Sequence, residues 1–456
     1  MLTAFFSAFR TPDLRKKLLF TLFILVLYRL GASIPSPGVA YGKVEECIQL
    51  EKESSVFTLL NLFSGGALLK LSVLALGIMP YITSSIILQL LTVVIPRLEQ
   101  LKKEGPAGQQ KITQYTRYLT LGLGVLQASG YIALARSGQL FSPGNAGNAP
   151  QSCKEIIADT SSKSVGLPMP ITLIMIVVVM TAGTAMIMWF GELITDKGIG
   201  NGMSVVIFSS IAAQLPGQIW NIKQSEKGSG WFIFAAIIVV GIAIMAAVVF
   251  IEQSQRRIPV QYAKKQVGRR MYGGSSTYIP LKVNQAGVIP VIFGSSLLYI
   301  PTLISQFYRS DAKPPAWVVF INTYLANQSS WVYTVCYFLL IIFFTYFYVS
   351  INFNPNEVAD NMKKFGGFIP GRRPGKPTAQ YLEHVLSRLT LPGAVYLGLI
   401  AVLPNLAIIA FGGAQVFQKF PFGGTSVLIM VGVGLESVKQ IESQLMQRNY
   451  EGFLKK

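Results

Sequence analysis

Apolar residues along the 456-residue chain gather in blocks of about twenty, the length at which a helix crosses the hydrocarbon core of a bilayer. Ten blocks stand at 18–35, 71–95, 117–135, 168–191, 202–216, 231–251, 286–307, 331–353, 390–411 and 422–440. Three of them are irregular. The fifth is short and ends at Pro216-Gly217. The seventh contains Gly287, Pro290, Gly294 and Pro301. The second contains Gly77 and Pro80, and it follows a semi-apolar stretch, 57–70, that is too short and too polar to span. Irregular backbone at membrane depth persists only where it is buried in protein or lines a water-filled cavity. Broken helices therefore point to a central site or pore. The pattern predicts an all-α polytopic membrane protein with ten transmembrane helices.

Composition agrees: 51% of residues are hydrophobic and 13% charged, where a soluble protein carries about 25% charged residues. The net charge of +19 takes its meaning from its distribution. With the N-terminus inside, 27 of the 39 Lys and Arg fall in or beside inner segments, the bias that orients membrane proteins. Ten blocks return the C-terminus to the same side. Arg10, Arg15, Lys16 and Lys17 precede the first block, but no small-residue cleavage site follows it cleanly, so it reads as a retained span. Two inner loops, 252–285 and 354–389, exceed what topology needs. Each is basic, longer than 30 residues, and punctuated by Tyr, Pro and Gly as ordered hairpins are. Loops of this kind suit a large anionic partner. The outer loop 137–166, rich in Ser, Gly and Asn, has no assigned role.

No catalytic constellation is visible. Cys47, Cys153 and Cys336 lack metal-ligand spacing. Cys336 reads as packing inside a span, and a disulfide between Cys47 and Cys153, both in outer loops, stays open. His384 is the only histidine and falls in a basic inner loop. The run from Gly371 to Pro377 lacks the spacing and the Ser or Thr of a phosphate loop. An intramembrane protease needs a Ser-His or paired-Asp arrangement at depth, and none is present. A small-solute transporter, the main rival reading, places acidic groups at mid-membrane; here Glu192, Glu252 and Glu436 lie near inner helix ends. No enzyme activity, cofactor or metal is expected.

The runs Phe63-Ser-Gly-Gly-Ala-Leu, Ala75-Leu-Gly-Ile-Met-Pro-Tyr-Ile, Gly198-Ile-Gly-Asn-Gly-Met-Ser, Gln255-Arg-Arg-Ile, Tyr262-Ala-Lys-Lys, Leu281-Lys-Val-Asn and Gly287-Val-Ile-Pro resemble the SecY family of protein-conducting channels. So do Phe353-Asn-Pro, Phe368-Ile-Pro-Gly, Arg373-Pro-Gly and Phe422-Gly-Gly-Thr-Ser, and together the matches run in order along nearly the whole chain. The resemblance implies a clamshell of two pseudo-symmetric five-helix halves, 1–220 and 221–440, around a central pore, with a cytoplasmic tail at 441–456. It implies a pore ring of Ile78, Ile82, Met203, Ile207, Ile292 and Ile429, in which Met203 departs from the usual branched aliphatic. It implies a re-entrant helical plug over 57–70, with Phe63, Ser64, Gly65 and Gly66; the polarity of that stretch fits a plain loop equally well. Thr83, Gln89, Gln127 and Asn284 would lie near a lateral gate between the second and third spans and the seventh and eighth. Arg256, Arg257, Arg269, Arg270, Arg372 and Arg373 would dock the SecA ATPase and the ribosome. SecE and SecG subunits, signal sequences, nascent polypeptides and membrane lipid complete the implied partners. The implied location is the inner (plasma) membrane, a thylakoid setting also fitting, with both termini cytoplasmic.

Overall fold

The computed structural model describes residues 9, 11–50, 64–136, 157, 168–225, 230–262, 265–267, 270–272, 276–307, 315–325, 330–410 and 424–454. The first half of the chain contains α1 (Pro12–Ser33), α2 (Tyr41–Leu50), α3 (Met79–Val94), α4 (Pro96–Lys103), α5 (Pro106–Arg136), α6 (Met169–Lys197) and α7 (Gly202–Ser225). The second begins with α8 (Gly230–Gln253), then β1 (Gln255–Tyr262), β2 (Lys265–Val267), β3 (Arg270–Tyr272) and β4 (Ser276–Lys282). It continues with α9 (Ile289–Phe307), α10 (Ala316–Phe320), α11 (Trp331–Asn352), α12 (Pro355–Lys364), β5 (Gly367–Phe368), α13 (Lys376–Ala410) and α14 (Gly424–Leu454).

Among the described residues, four stretches are long and apolar enough to cross a membrane unaided: Pro106–Arg136, Met169–Lys197, Trp331–Lys364 and Lys376–Pro404. The pair α3–α4, bent by 100°, makes a fifth when counted as one span. Proline sets that bend. Pro96 excludes Ile95 from the helical region, and Ile95 sits at φ −99°, ψ 111°.

Each apolar block overlaps a long helix, but the ends differ from the expected ones. The second block becomes helical only at Met79, with Pro80 in the first turn where its missing N–H costs nothing; residues 73–78 before it are turns. Pro216 does not end the fifth block, for α7 carries it inside the helix and runs on to Ser225. A proline is tolerated there because neighbouring groups can satisfy the freed carbonyl. Both α13 and α14 continue well past their apolar parts, since hydropathy marks where lipid lies and not where hydrogen bonding stops.

The helices pack in two groups. α1, α3, α5, α6 and α7 contact one another, with α6 touching all the others, and α8, α9, α11, α13 and α14 form the second set. The groups meet where α7 contacts α8 and α14, and where α9 contacts α3 and α5. At one end of the second group stands a separate small module. β1 pairs antiparallel with β4 from Gln255↔Lys282 to Gln261↔Ser276, and β5 extends the sheet on the other edge of β1. Alternation along β1 turns Ile258 and Val260 inward. They join Leu281, Met362, Ile369, Leu382 and Val385 in a core of their own. The described parts of both basic loops are thus folded, 252–285 by strand pairing and 354–389 as α12, β5 and the start of α13 rather than a hairpin.

Candidate functional site

The six ring candidates come from four separated stretches, yet one continuous apolar cluster holds them all. Ile82 lies on α3 and Ile78 at its N-cap, Met203 and Ile207 on α7, Ile292 on α9 and Ile429 on α14. Ile429, Ile78, Ile207 and Ile82 are 0%, 1%, 4% and 9% exposed, while Met203 and Ile292 are half-buried. Both helix groups contribute, so the cluster spans the seam between them. The Met203 thioether fills the space that a side chain at Gly191 would need. Its flexible chain packs toward α6 within the first group.

Beside this centre runs the segment 64–78. Its described part is a succession of turns and not the short helix expected over 57–70; Phe63 lies outside the described residues. Left-handed backbone at Gly65 and Gly66 (φ 69° and 88°) and a positive φ of 45° at Leu71 prevent a helical run. Ser64 is buried, and its Oγ accepts from the Leu68 N–H at 3.1 Å. An isolated bridge pairs Pro35 with Ser72, the Val73 N–H donates to the Ile34 carbonyl, and the Ser36 N–H donates to that of Leu71. The segment is therefore knitted to the strand-like exit of α1.

The polar seam residues do not form one network. Thr83 is buried and donates to the Met79 and Pro80 carbonyls of its own helix. Gln89 donates to the Ser85 hydroxyl at 3.4 Å, one turn back. Gln127 is half-buried on α5. Asn284 is buried at the α8–α9 junction, where its Nδ2 donates to Glu252 Oε1 at 2.9 Å and to the Gly287 carbonyl at 3.2 Å. Its buried Oδ1 has no partner among the described residues. Asn284 thus ties the second helix group together internally.

On the module, Arg256, Arg257, Arg372 and Arg373 are exposed. The Arg257 guanidinium stands 4.8 Å from the Tyr278 ring centroid and that of Arg372 5.0 Å from Tyr381. Aromatic faces hold these planar cations outward without neutralising them. Arg270 begins β3, and Arg269 lies outside the described residues. His384 is exposed nearby. Elsewhere, Cys47 is disulfide-bonded and Cys336 is a free thiol, while Cys153 lies outside the described residues. Within the stretch 137–166, Ile157 is bridged to Val39.

Sequence reasoning gave no role to three polar groups that the fold uses. Arg29 reaches the 64–66 turn, Glu252 holds Asn284, and Gln440 on α14 accepts from the Gly200 N–H at 2.8 Å. Around that last bond, Leu14, Ile199 and Ile441 form a small apolar core, and Lys17 reaches Gln444. The first of these groups had a signal: a charge inside an apolar block.

Two helix groups meeting at an apolar centre, with a cationic module at one end, define a polytopic helical membrane protein. A family model described as SecY matches residues 72–438. "Protein translocase subunit SecY" of Streptomyces griseus is 61% identical over 456 residues, covering 100% of both chains. Its counterpart in Mycobacterium tuberculosis (strain ATCC 25618 / H37Rv) is 60% identical over 465 residues, again covering 100% of each. Among solved structures, one concerns a SecY protein whose plug domain stabilises the closed state of the translocation channel and maintains a membrane seal. It has a TM-score of 0.63 at 17% identity, covering 94% of this chain and 91% of that one. Sec61 in the canine ribosome-channel complex of the endoplasmic reticulum has a TM-score of 0.57 at 17% identity, with the same coverage. The chain belongs to the SecY family.

Proposed function

We propose that this chain is the channel-forming subunit of a protein translocase. It conducts unfolded secretory polypeptides across the inner (plasma) membrane and releases transmembrane segments sideways into lipid. The observation that carries this reading is full-length similarity to translocase subunits at 61% identity. In it, ten spans form a clamshell of the halves 1–220 and 221–440, both termini are cytoplasmic, and the tail from 441 follows. The apolar cluster of Ile78, Ile82, Met203, Ile207, Ile292 and Ile429 acts as the constriction. An apolar ring excludes ions by dewetting and grips no particular sequence, as a conduit for arbitrary polypeptides must. The 64–66 turn belongs to a plug, a reading supported by the plug domain in the similar structure. The seam where α9 meets α3 and α5, with Thr83, Gln89, Gln127 and Asn284 near it, is the lateral gate. Nothing in the comparisons supports a small-solute transporter. The chain is a conduit, and energy comes from SecA or the translating ribosome, with SecE and SecG as companion subunits. The ribosome-bound canine relative supports that docking.

The test is a photocrosslinker at Ile82 or Ile292 with a preprotein stalled by a folded C-terminal domain. A signal-dependent adduct is expected, with none from Val239, 66% exposed on α8. No adduct in a correctly assembled complex would remove the pore assignment.

Docking through the module makes a second prediction. Arg373 is exposed and has no carboxylate partner among the described residues. Arg373→Glu turns an attractive contact with an acidic motor surface into a repulsive one, so SecA-driven export should fall about tenfold or more. Channel assembly should be unchanged. Normal export rates in reconstituted vesicles would remove Arg373 from the docking surface.

A further inference from the structure

Arg29 is the one charged residue in the apolar stretch of α1, about 6 Å along the axis from the helix end at Ser33. It is half-buried, and no carboxylate pairs with it among the described residues. Its donors go to main chain instead. Nη1 donates to the Gly65 carbonyl at 2.9 Å, and Nη2 to the Ser209 carbonyl on α7 at 3.4 Å. Beside it Tyr28 is fully buried. The Tyr28 hydroxyl shares a 2.8 Å hydrogen bond with Ser210 Oγ and reaches the Ser64 carbonyl at 3.3 Å. Gly65 is needed for this approach, because a Cβ there would stand 2.8 Å from Arg29 Nη1, on backbone already at φ 69°. Two adjacent residues of α1 thus bind the 64–65 turn and α7 at once.

A guanidinium at this depth is costly unless its donors are occupied, and a carbonyl partner gives a charge-assisted bond. Such a tether is also reversible. If the turn withdraws and water enters, water replaces the Gly65 carbonyl on the same donors. α7 carries Ile207 as well as Ser209 and Ser210, so a shift of the ring on α7 pulls on the same contacts. We propose that Arg29, with Tyr28 beside it, is the positioning residue that holds the 64–66 turn on α7 in the closed channel and sets how readily it leaves. This rests on the reading of that turn as part of the plug.

The test uses the assembled translocase in lipid vesicles, without substrate. Arg29→Met keeps the apolar stem of the side chain and removes the donors. Backbone amide deuterium exchange over 64–72 should accelerate about tenfold, the scale of one hydrogen bond to a charged group. Export of preproteins with weakened signal sequences should rise with it. Arg29→Lys, which keeps charge without the fork, should fall between. If Arg29→Met does not assemble, Tyr28→Phe carries the test on the same peptide with a smaller acceleration. Unchanged exchange over 64–72 in the assembled variant overturns the tether. Faster exchange with no gain for weak signals overturns its role in opening. Failure of the channel reading registers separately, as missing preprotein adducts in the unsubstituted protein.

Discussion

Replacing Gly183 with leucine should abolish accumulation of the folded channel. Gly183 lies on α6, buried against the 64–78 segment, and a Cβ there would overlap the carbonyl oxygen of Val73. Val73 cannot step aside easily, since its N–H is bonded to the Ile34 carbonyl and its neighbour Ser72 bridges Pro35. Inserting excess volume into a packed core costs about 1–3 kcal/mol even where side chains can rotate. Backbone offers no rotamer to change, so leucine must separate α6 from the segment altogether. Wild-type levels of protease-resistant protein in the membrane would show that this contact is not close-packed. Gly183→Ala should lie between the two.

The second large effect concerns conductance. Ile429→Asn in the apolar centre should raise resting ion current about fivefold while leaving signal-dependent export in place. An amide gives pore water a partner worth about 1 kcal/mol, and that factor acts directly on how often the constriction is wet. Ile429 is fully buried on α14, so the substitution also lowers stability if the side chain is ordinary core. The two cases separate cleanly in planar bilayers. A leak without loss of thermal stability marks a pore lining, whereas lower stability without a leak marks packing and removes Ile429 from the ring. Val239→Asn, at an exposed position of α8, should do neither.

Much of this architecture was legible because lipid imposes long apolar blocks, readable one residue at a time. The Tyr, Pro and Gly punctuation of 252–285 pointed to ordered structure there, and β1 pairs with β4 in it. What stayed hidden depends on partners distant in sequence. Arg29 was visible as a charge out of place, but Gly65 and Ser209 lie 36 and 180 residues away. The resemblance gave Asn284 a place near the gate; its bond to Glu252, 32 residues back, could not be read from the sequence. Helix ends were missed for a different reason. Residues 376–389 and 441–454 are helical although they are polar, and hydropathy is silent outside lipid. Between 64 and 70, Gly65-Gly66 announced a turn without saying how many would follow.

The small core of Leu14, Ile199 and Ile441, with Lys17 reaching Gln444 across 427 residues, bears on how the chain is made. A ribosome delivers Leu14 some 180 residues before Ile199 and more than 400 before Ile441, so this flank of α1 waits for its cover through much of synthesis. Contacts of such long sequence separation form late because loop closure must precede them. A helix made early is therefore finished late, and a chain truncated before Ile441 leaves the flank of α1 around Leu14 uncovered.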